Sequence, residues 1–377
     1  MKRQRSPRGR VFLRLLAAAF LLALAGLGFV FFSLRSAFQG FENEVIVDFP
    51  KGTSTSAMAA GLARSGVIRY PWQFLAVRAL NPGRRLQAGE YQFTRADTPW
   101  HVFDRIARGD VFYYELTVPE GSNIFDIAAN LSRFDFLRPD DFVKAARDPS
   151  LIRDLAPNAP TLEGYLFPST YRITRRTTVE QLCQMMTDLF RKHWRELQTT
   201  GDPVSVNDTV ALASLVEKET AVPAERPVVA SVYENRLKRG MALDCDPTTI
   251  YAALLDQRYR GTIYRSDLNS TNAYNTYQHA GLPPGPIANP GLESLRAALH
   301  PAETDYLYFV ANPGESGTHH FSKTIEEHNR AVQKYRRANK QPAAVEPPPR
   351  AHGRGKHYRA TKHHRAALMQ ESKQQSA

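Results

Sequence analysis

Cysteine is nearly absent, with Cys183 and Cys245 the only two in 377 residues. They fit no metal-ligand spacing, which removes a cysteine-built metal site from consideration, and the sequence leaves open whether they pair. The body of the chain also lacks a basic stripe. The formal net charge is +12, yet six Lys or Arg lie in the first fourteen residues and another basic cluster follows Arg350. A nucleic-acid binder needs its basic residues along one folded face, so charge held at the two ends argues against that class. From about Lys340 large apolar residues become scarce, and segment 340–377 is expected to be a disordered basic tail.

One apolar run is conspicuous. Leu15 to Leu34 carries no charge over twenty residues, long enough at a rise of about 1.5 Å per residue to cross a hydrocarbon core of about 30 Å. Lys2, Arg3, Arg5, Arg8, Arg10 and Arg14 precede it, whereas Glu42 and Glu44 follow Arg35. The positive-inside rule then leaves segment 1–14 in the cytoplasm, 15–34 as a transmembrane helix and the rest outside. Ala23-Leu24-Ala25 has the form of a signal-peptide cleavage site. Apolar sequence continues beyond it, which favours a retained anchor.

Beyond the anchor the chain echoes itself. Ile46 to Ser54 and Glu115 to Asn123 share a short strand, a Pro-x-Gly turn and a polar residue placed to cap a helix. Leu86 to Phe93 reads as a return strand for the first unit. This cadence resembles the LysM type of small glycan-binding module, expected over 44–115, ahead of a larger α+β domain over 116–337.

The densest chemistry lies in Leu212 to Thr220, a buried-helix pattern that carries two acids. At about 100° per residue, Leu212, Leu215 and Val216 share a face with Glu219, while Glu217 points roughly opposite. Acids on helices are most often solvated or ion-paired. A carboxyl ringed by aliphatic neighbours instead loses hydration of its charged form and holds its proton to higher pH, as a general acid must.

Several other segments carry polar groups. Leu162 to Tyr171 mixes aromatics with Pro and the single acid Glu163, as a cleft wall would. Asp246-Pro247 is a candidate N-cap and first turn. Tyr274 to Tyr277 and the proline-rich Gly281 to Gly291 offer flat rings and amides on a stiff backbone, a surface that suits sugars. His319 and His320 fall on a strand and face opposite sides, which makes them a poor chelating pair. His320 is expected to contribute hydrogen bonds, and neither a metal nor a cofactor is called for.

The series Leu162–Tyr171, Ala213–Thr220, Asp246–Thr248, Ala273–Tyr277, Gly281–Pro286, Tyr306–Val310 and His320-Phe321 resembles the MltG (YceG-like) family of endolytic murein transglycosylases, from the anchor to about Lys334. The resemblance implies an inner-membrane enzyme with an extracytoplasmic body. Its expected reaction cuts the β-1,4 bond between N-acetylmuramic acid and N-acetylglucosamine in nascent peptidoglycan and leaves a 1,6-anhydromuramic end. Peptidoglycan synthases are the partners it implies.

On this reading Glu219 is the catalytic residue, with Glu217 second. Glu163, Asp246, Tyr274, Asn275, Tyr277, Asn289 and His320 are expected at the substrate. Glu217 and Glu219 diverge by about 200°, so the helix does not supply the paired carboxyls of an ordinary glycosidase. A hydrolytic muramidase using Glu163 or Asp246 is one alternative, and a membrane-tethered, non-catalytic glycan-binding scaffold is the other.

Overall fold

In a computed structural model, residues 7–198, 205–314 and 317–338 are described. The tail expected over 340–377 and the first six residues lie outside them. The architecture is mixed α+β, with three separate two-stranded sheets among the described residues, and the chain divides into two compact units between Tyr114 and Glu115.

The first unit opens with α1 (Pro7–Arg35). Its stretch Arg14–Arg35 is long and apolar enough to cross a membrane. Its last turn is tied into the unit, since Leu34 is buried and the Gln73 amide donates to the Ser33 carbonyl and hydroxyl at 3.1 and 2.8 Å. Next come β1 (Val45–Phe49), α2 (Thr55–Arg64), α3 (Pro71–Leu80), β2 (Gly89–Phe93) and α4 (Pro99–Arg108). β1 and β2 pair antiparallel, Val47 opposite Tyr91. Alternation along β1 turns Val47 and Phe49 inward. They join Leu62, Phe74, Val77 and Phe103 in one buried cluster.

The second unit begins one residue into β3 (Tyr114–Val118), followed by α5 (Ile124–Leu131), α6 (Pro139–Ala146) and a short 3₁₀ turn at Pro149–Ile152. β4 (Ser169–Ile173), the partner of β3, leads into α7 (Val179–Leu197). The internal echo is realised in both units. Pro50 and Pro119 each open a turn closed by a glycine at positive φ, Gly52 at 87° and Gly121 at 74°. Ser54 and Asn123 then cap the helices, accepting from Ala57 N and from Phe125 and Asp126 N.

The remaining elements surround α8 (Val206–Glu219). They are α9 (Arg226–Lys238), α10 (Asp246–Leu255), α11 (Arg265–Leu268), α12 (Leu292–Leu299), the antiparallel hairpin β5 (Tyr308–Ala311) with β6 (His319–Ser322), and α13 (Ile325–Ala338). α8 packs against α9, α10 and α12, so Val210, Leu212, Leu215 and Val216 are all buried. Each such side chain contributes about 1.5–3 kcal/mol. One local expectation is corrected. Cys245, not Asp246, occupies the N-cap of α10 and makes no side-chain cap bond, and Asp246 is the first helical residue. The β5 side chains are half-buried, because a two-stranded hairpin covers them incompletely.

The proline-rich loop closes tightly on the Leu162–Tyr171 segment. Gly164 sits at φ +87°, and a Cβ there would lie 2.4 Å from Pro286 Cγ and 2.8 Å from Val210 Cγ1. Strain and overlap act together. Gly164→Ala should therefore cost about 3 kcal/mol, seen by circular dichroism as a fall in Tm of about 6–12 °C; an unchanged Tm would contradict this packing.

Candidate functional site

The last turn of α8 sends its two acids into different chemistry. Glu219 is the final helical residue, and Thr220 leaves the helix with extended backbone at φ −134° and ψ 131°. Glu219 Oε1 accepts from the Tyr233 hydroxyl of α9 at 3.0 Å and from the Cys245 thiol at 3.2 Å. Among the described residues no hydrogen bond reaches Oε2 and no cation pairs with this carboxyl. Burial pushes its pKa up, partly offset by the two donors and by His319, while the Asp246 carboxylate reinforces the rise. The side chain remains partly accessible.

Glu217 is committed elsewhere. Its Oε2 accepts from Gly291 N at 3.0 Å and Ser294 Oγ at 2.7 Å, and its Oε1 lies 3.4 Å from the Arg226 guanidinium. Gly291 caps α12, so this carboxylate sits at a helix N-terminus where the macrodipole favours it. It belongs to a row on α8: Asn207 Nδ2 donates to Pro284 O at 3.1 Å, and Ser214 Oγ accepts from Ile287 N at 3.0 Å. Spacings of seven and three residues keep this row on one side of the helix. Together the three residues pin the proline-rich loop to α8.

Three residues expected at the substrate lie wholly inside. Glu163, Asn275 and Asn289 are each 0% exposed. Asn289 Oδ1 accepts from Gly164 N and Leu166 N at 2.8 and 2.9 Å, while its Nδ2 donates to Ser122 O and Glu163 Oε1 at 2.8 and 2.9 Å. Glu163 Oε2 accepts from Ile124 N at 2.9 Å, and burial pushes this carboxyl up to about 8. Asn275 donates to the carbonyls of Asp267, Leu268 and Ser270 and accepts from Thr249 and Tyr277. Their polar groups are taken up by the protein, so they hold the walls in place.

The other expected residues spread differently. Tyr274 is buried against Tyr251, ring centroids 5.1 Å apart. Tyr277 donates to Asp246 Oδ1 at 2.7 Å, and Asp246 is exposed close enough to act on Glu219. The two histidines divide by strand alternation, because His320 is exposed and His319 turns inward. His319 Nδ1 lies 2.7 Å from Glu225 Oε2, its backbone N donates to Glu225 Oε1 at 2.8 Å, and the Thr220 hydroxyl donates to Oε2 at 3.3 Å. Of the two histidines, His319 is the one close enough to act on Glu219.

Tyr233, Cys245, Glu225 and His319 were not picked out from sequence. One signal was present for the last, since His319 shares a strand face with Phe321. Among the described residues no three His, Cys, Asp or Glu side chains are grouped to hold a metal ion.

A family model described as the YceG-like family matches residues 47–334. An endolytic murein transglycosylase of Bacillus subtilis (strain 168) is 34% identical over 310 residues, covering 77% of this chain and 84% of that protein. One from Streptococcus pneumoniae serotype 2 (strain D39 / NCTC 7466) is 29% identical over 352 residues, covering 85% of this chain and 63% of that protein. A crystal structure of a yceG-like protein from Listeria monocytogenes is 32% identical, with a TM-score of 0.51 over 76% of this chain and 98% of that one.

Two expectations follow from the buried acids. Glu217→Ala removes the nearer carboxylate from a buried Arg226, leaving Glu120 at 3.8 Å, and breaks two further bonds, at a cost of about 3–5 kcal/mol; urea unfolding with an unchanged midpoint would contradict it. Glu163 carries a folded-state pKa of about 8, above its unfolded value. Its stabilising share is therefore complete below about pH 4.3 and is lost as pH rises to about 8. Glu163→Gln sets an amide donor against Ile124 N or Asn289 Nδ2 and costs about 1–3 kcal/mol at pH 5. That gap should narrow towards pH 8, and a gap of constant width would refute the assignment.

Proposed function

The chain belongs to the YceG-like family, and from that premise we propose that it is a membrane-anchored peptidoglycan lytic transglycosylase, a lyase acting within nascent glycan strands. Its relatives are named endolytic murein transglycosylases, which supports the reaction class. The observation that carries the reading is Glu219: a sheltered, uncompensated carboxyl with one oxygen held by two neutral donors. That is the state of a group able to give and then retrieve a proton.

In the proposed reaction, protonated Glu219 donates to the oxygen bridging N-acetylmuramic acid and N-acetylglucosamine as the C1–O bond breaks. The ionised carboxylate then takes the proton of the muramic C6 hydroxyl as that oxygen bonds to C1. A 1,6-anhydro end forms, no water is consumed, and the reaction draws on no cofactor. Asp246 and Tyr277, with His319 oriented by Glu225, are proposed to orient the sugar near C1. The region 44–115 is proposed to serve as a LysM-like glycan-binding subdomain. The basic residues Lys2 to Arg14 ahead of the apolar run support a cytoplasmic N-terminus and a body outside an inner membrane. Peptidoglycan synthases, which supply nascent strands, are the proposed protein partners.

A hydrolytic outcome is favoured by one observation, that Asp246 stands close enough to influence Glu219, as a second carboxyl would in a glycosidase. Product mass separates the two. Fragments released from un-crosslinked glycan by the full-length protein should lack one water relative to hydrolysed ends, and Glu219→Gln should lower the rate by about 10²–10⁴-fold while retaining glycan binding. Hydrolysed ends would establish the muramidase, and wild-type cleavage by Glu219→Gln would remove the acid from the mechanism.

A further inference from the structure

We propose that Tyr233 and Cys245 are positioning residues that saturate Oε1 of Glu219 and so fix the transferable proton on Oε2, making that one oxygen both donor and acceptor in the reaction. The inference rests on Glu219 being the general acid. A neutral carboxyl has one oxygen that carries the proton and one that chiefly accepts. Oε1 already accepts from the Tyr233 hydroxyl at 3.0 Å and the Cys245 thiol at 3.2 Å, while no protein group among the described residues bonds Oε2. The proton therefore resides on the oxygen left to the substrate. When it departs, the charge left on the carboxylate meets two donors already in place, so their contribution grows as the glycosidic bond breaks.

Both donors are held from behind. Cys245 N donates to Thr276 Oγ1 at 3.0 Å, the Cys245 carbonyl accepts from Thr248 Oγ1 at 2.6 Å, and the two threonine hydroxyls lie 2.9 Å apart. Thr276 follows Asn275, whose five bonds anchor that loop. The threonines and Asn275 of two sequence motifs thus set the position of a thiol. Tyr233 is 2% exposed, its ring edge-on to Phe309 at 6.1 Å. The charged or titratable groups facing Glu219 are Tyr233 from α9, Cys245 and Asp246 at the start of α10, and His319 from β6. Burial raises the thiol and phenol pKa values well above their usual ranges, so both groups stay protonated donors.

The test is the pH profile of kcat for release of anhydro-ended fragments by the full-length protein, whose alkaline limb reports loss of the acid's proton. Removing a donor destabilises the carboxylate, so Cys245→Ala and Tyr233→Phe should move that limb to higher pH and lower kcat about tenfold each. A hydroxyl is a stronger donor than a thiol, so Cys245→Ser should move the limb to lower pH while kcat stays within about threefold of wild type. A purely structural role lowers kcat without moving the limb in opposite directions for Ser and Ala. The Cys245 pair decides the matter even if Tyr233→Phe fails to fold. Limbs that stay put, or that shift the same way in both Cys245 variants, overturn the inference alone, provided Glu219→Gln is inactive; full activity of Glu219→Gln overturns the acid assignment and the inference with it.

Discussion

A carboxyl sheltered from solvent without a countercharge is the constraint on which the second unit of this protein turns. Two acids stand two residues apart on α8, and the fold treats them oppositely. Glu217 receives Arg226, the backbone N–H at a helix N-terminus and a hydroxyl, so both of its oxygens are engaged. Glu219 receives a phenol and a thiol, which steady the group without neutralising a charge. The divergence of about 200° between them becomes a division of labour, one acid holding the structure together and the other keeping one oxygen open.

That division requires α8 to be fixed on all sides. Its aliphatic residues fill the space beneath α9, α10 and α12, while Asn207, Ser214 and Glu217 hook the proline-rich loop along the helix. Prolines remove donors from that loop, and α8 satisfies several of the polar groups that remain. The loop in turn carries Asn289, whose amide joins the turn after β3, the Leu162–Tyr171 wall and the loop itself. Glu163 completes this join as a second buried carboxyl, held high by desolvation but engaged at both oxygens. The contrast in bonding separates the two: Glu163 has each oxygen occupied by an N–H, and Glu219 has one oxygen open.

Helical and turn chemistry was the most legible part of the sequence. The caps at Ser54 and Asn123 and the two Pro-x-Gly turns follow from local bonding, which needs no knowledge of distant residues. Glu219 was legible because its aliphatic register is local to one helix. What escaped were groups whose meaning depends on a partner far along the chain. Tyr233 reads as a packing residue of α9, Cys245 as a thiol without a motif, and Glu225 as a polar residue of a short turn. Conversely, amides such as Asn275 and Asn289 look like sugar-binding groups until the carbonyls and N–H groups that consume them are known. His319 and His320 could be told apart only once the phase of β6 was set.

Glu219 should stay protonated beyond the pH at which an ordinary glutamate ionises, since burial raises its pKa. Infrared difference spectroscopy of the full-length protein against Glu219→Gln isolates the carbonyl stretch of this one carboxylic acid through a pH titration. The account predicts a band that persists well above the usual glutamate midpoint of about 4.3; a band lost with an ordinary midpoint would contradict it.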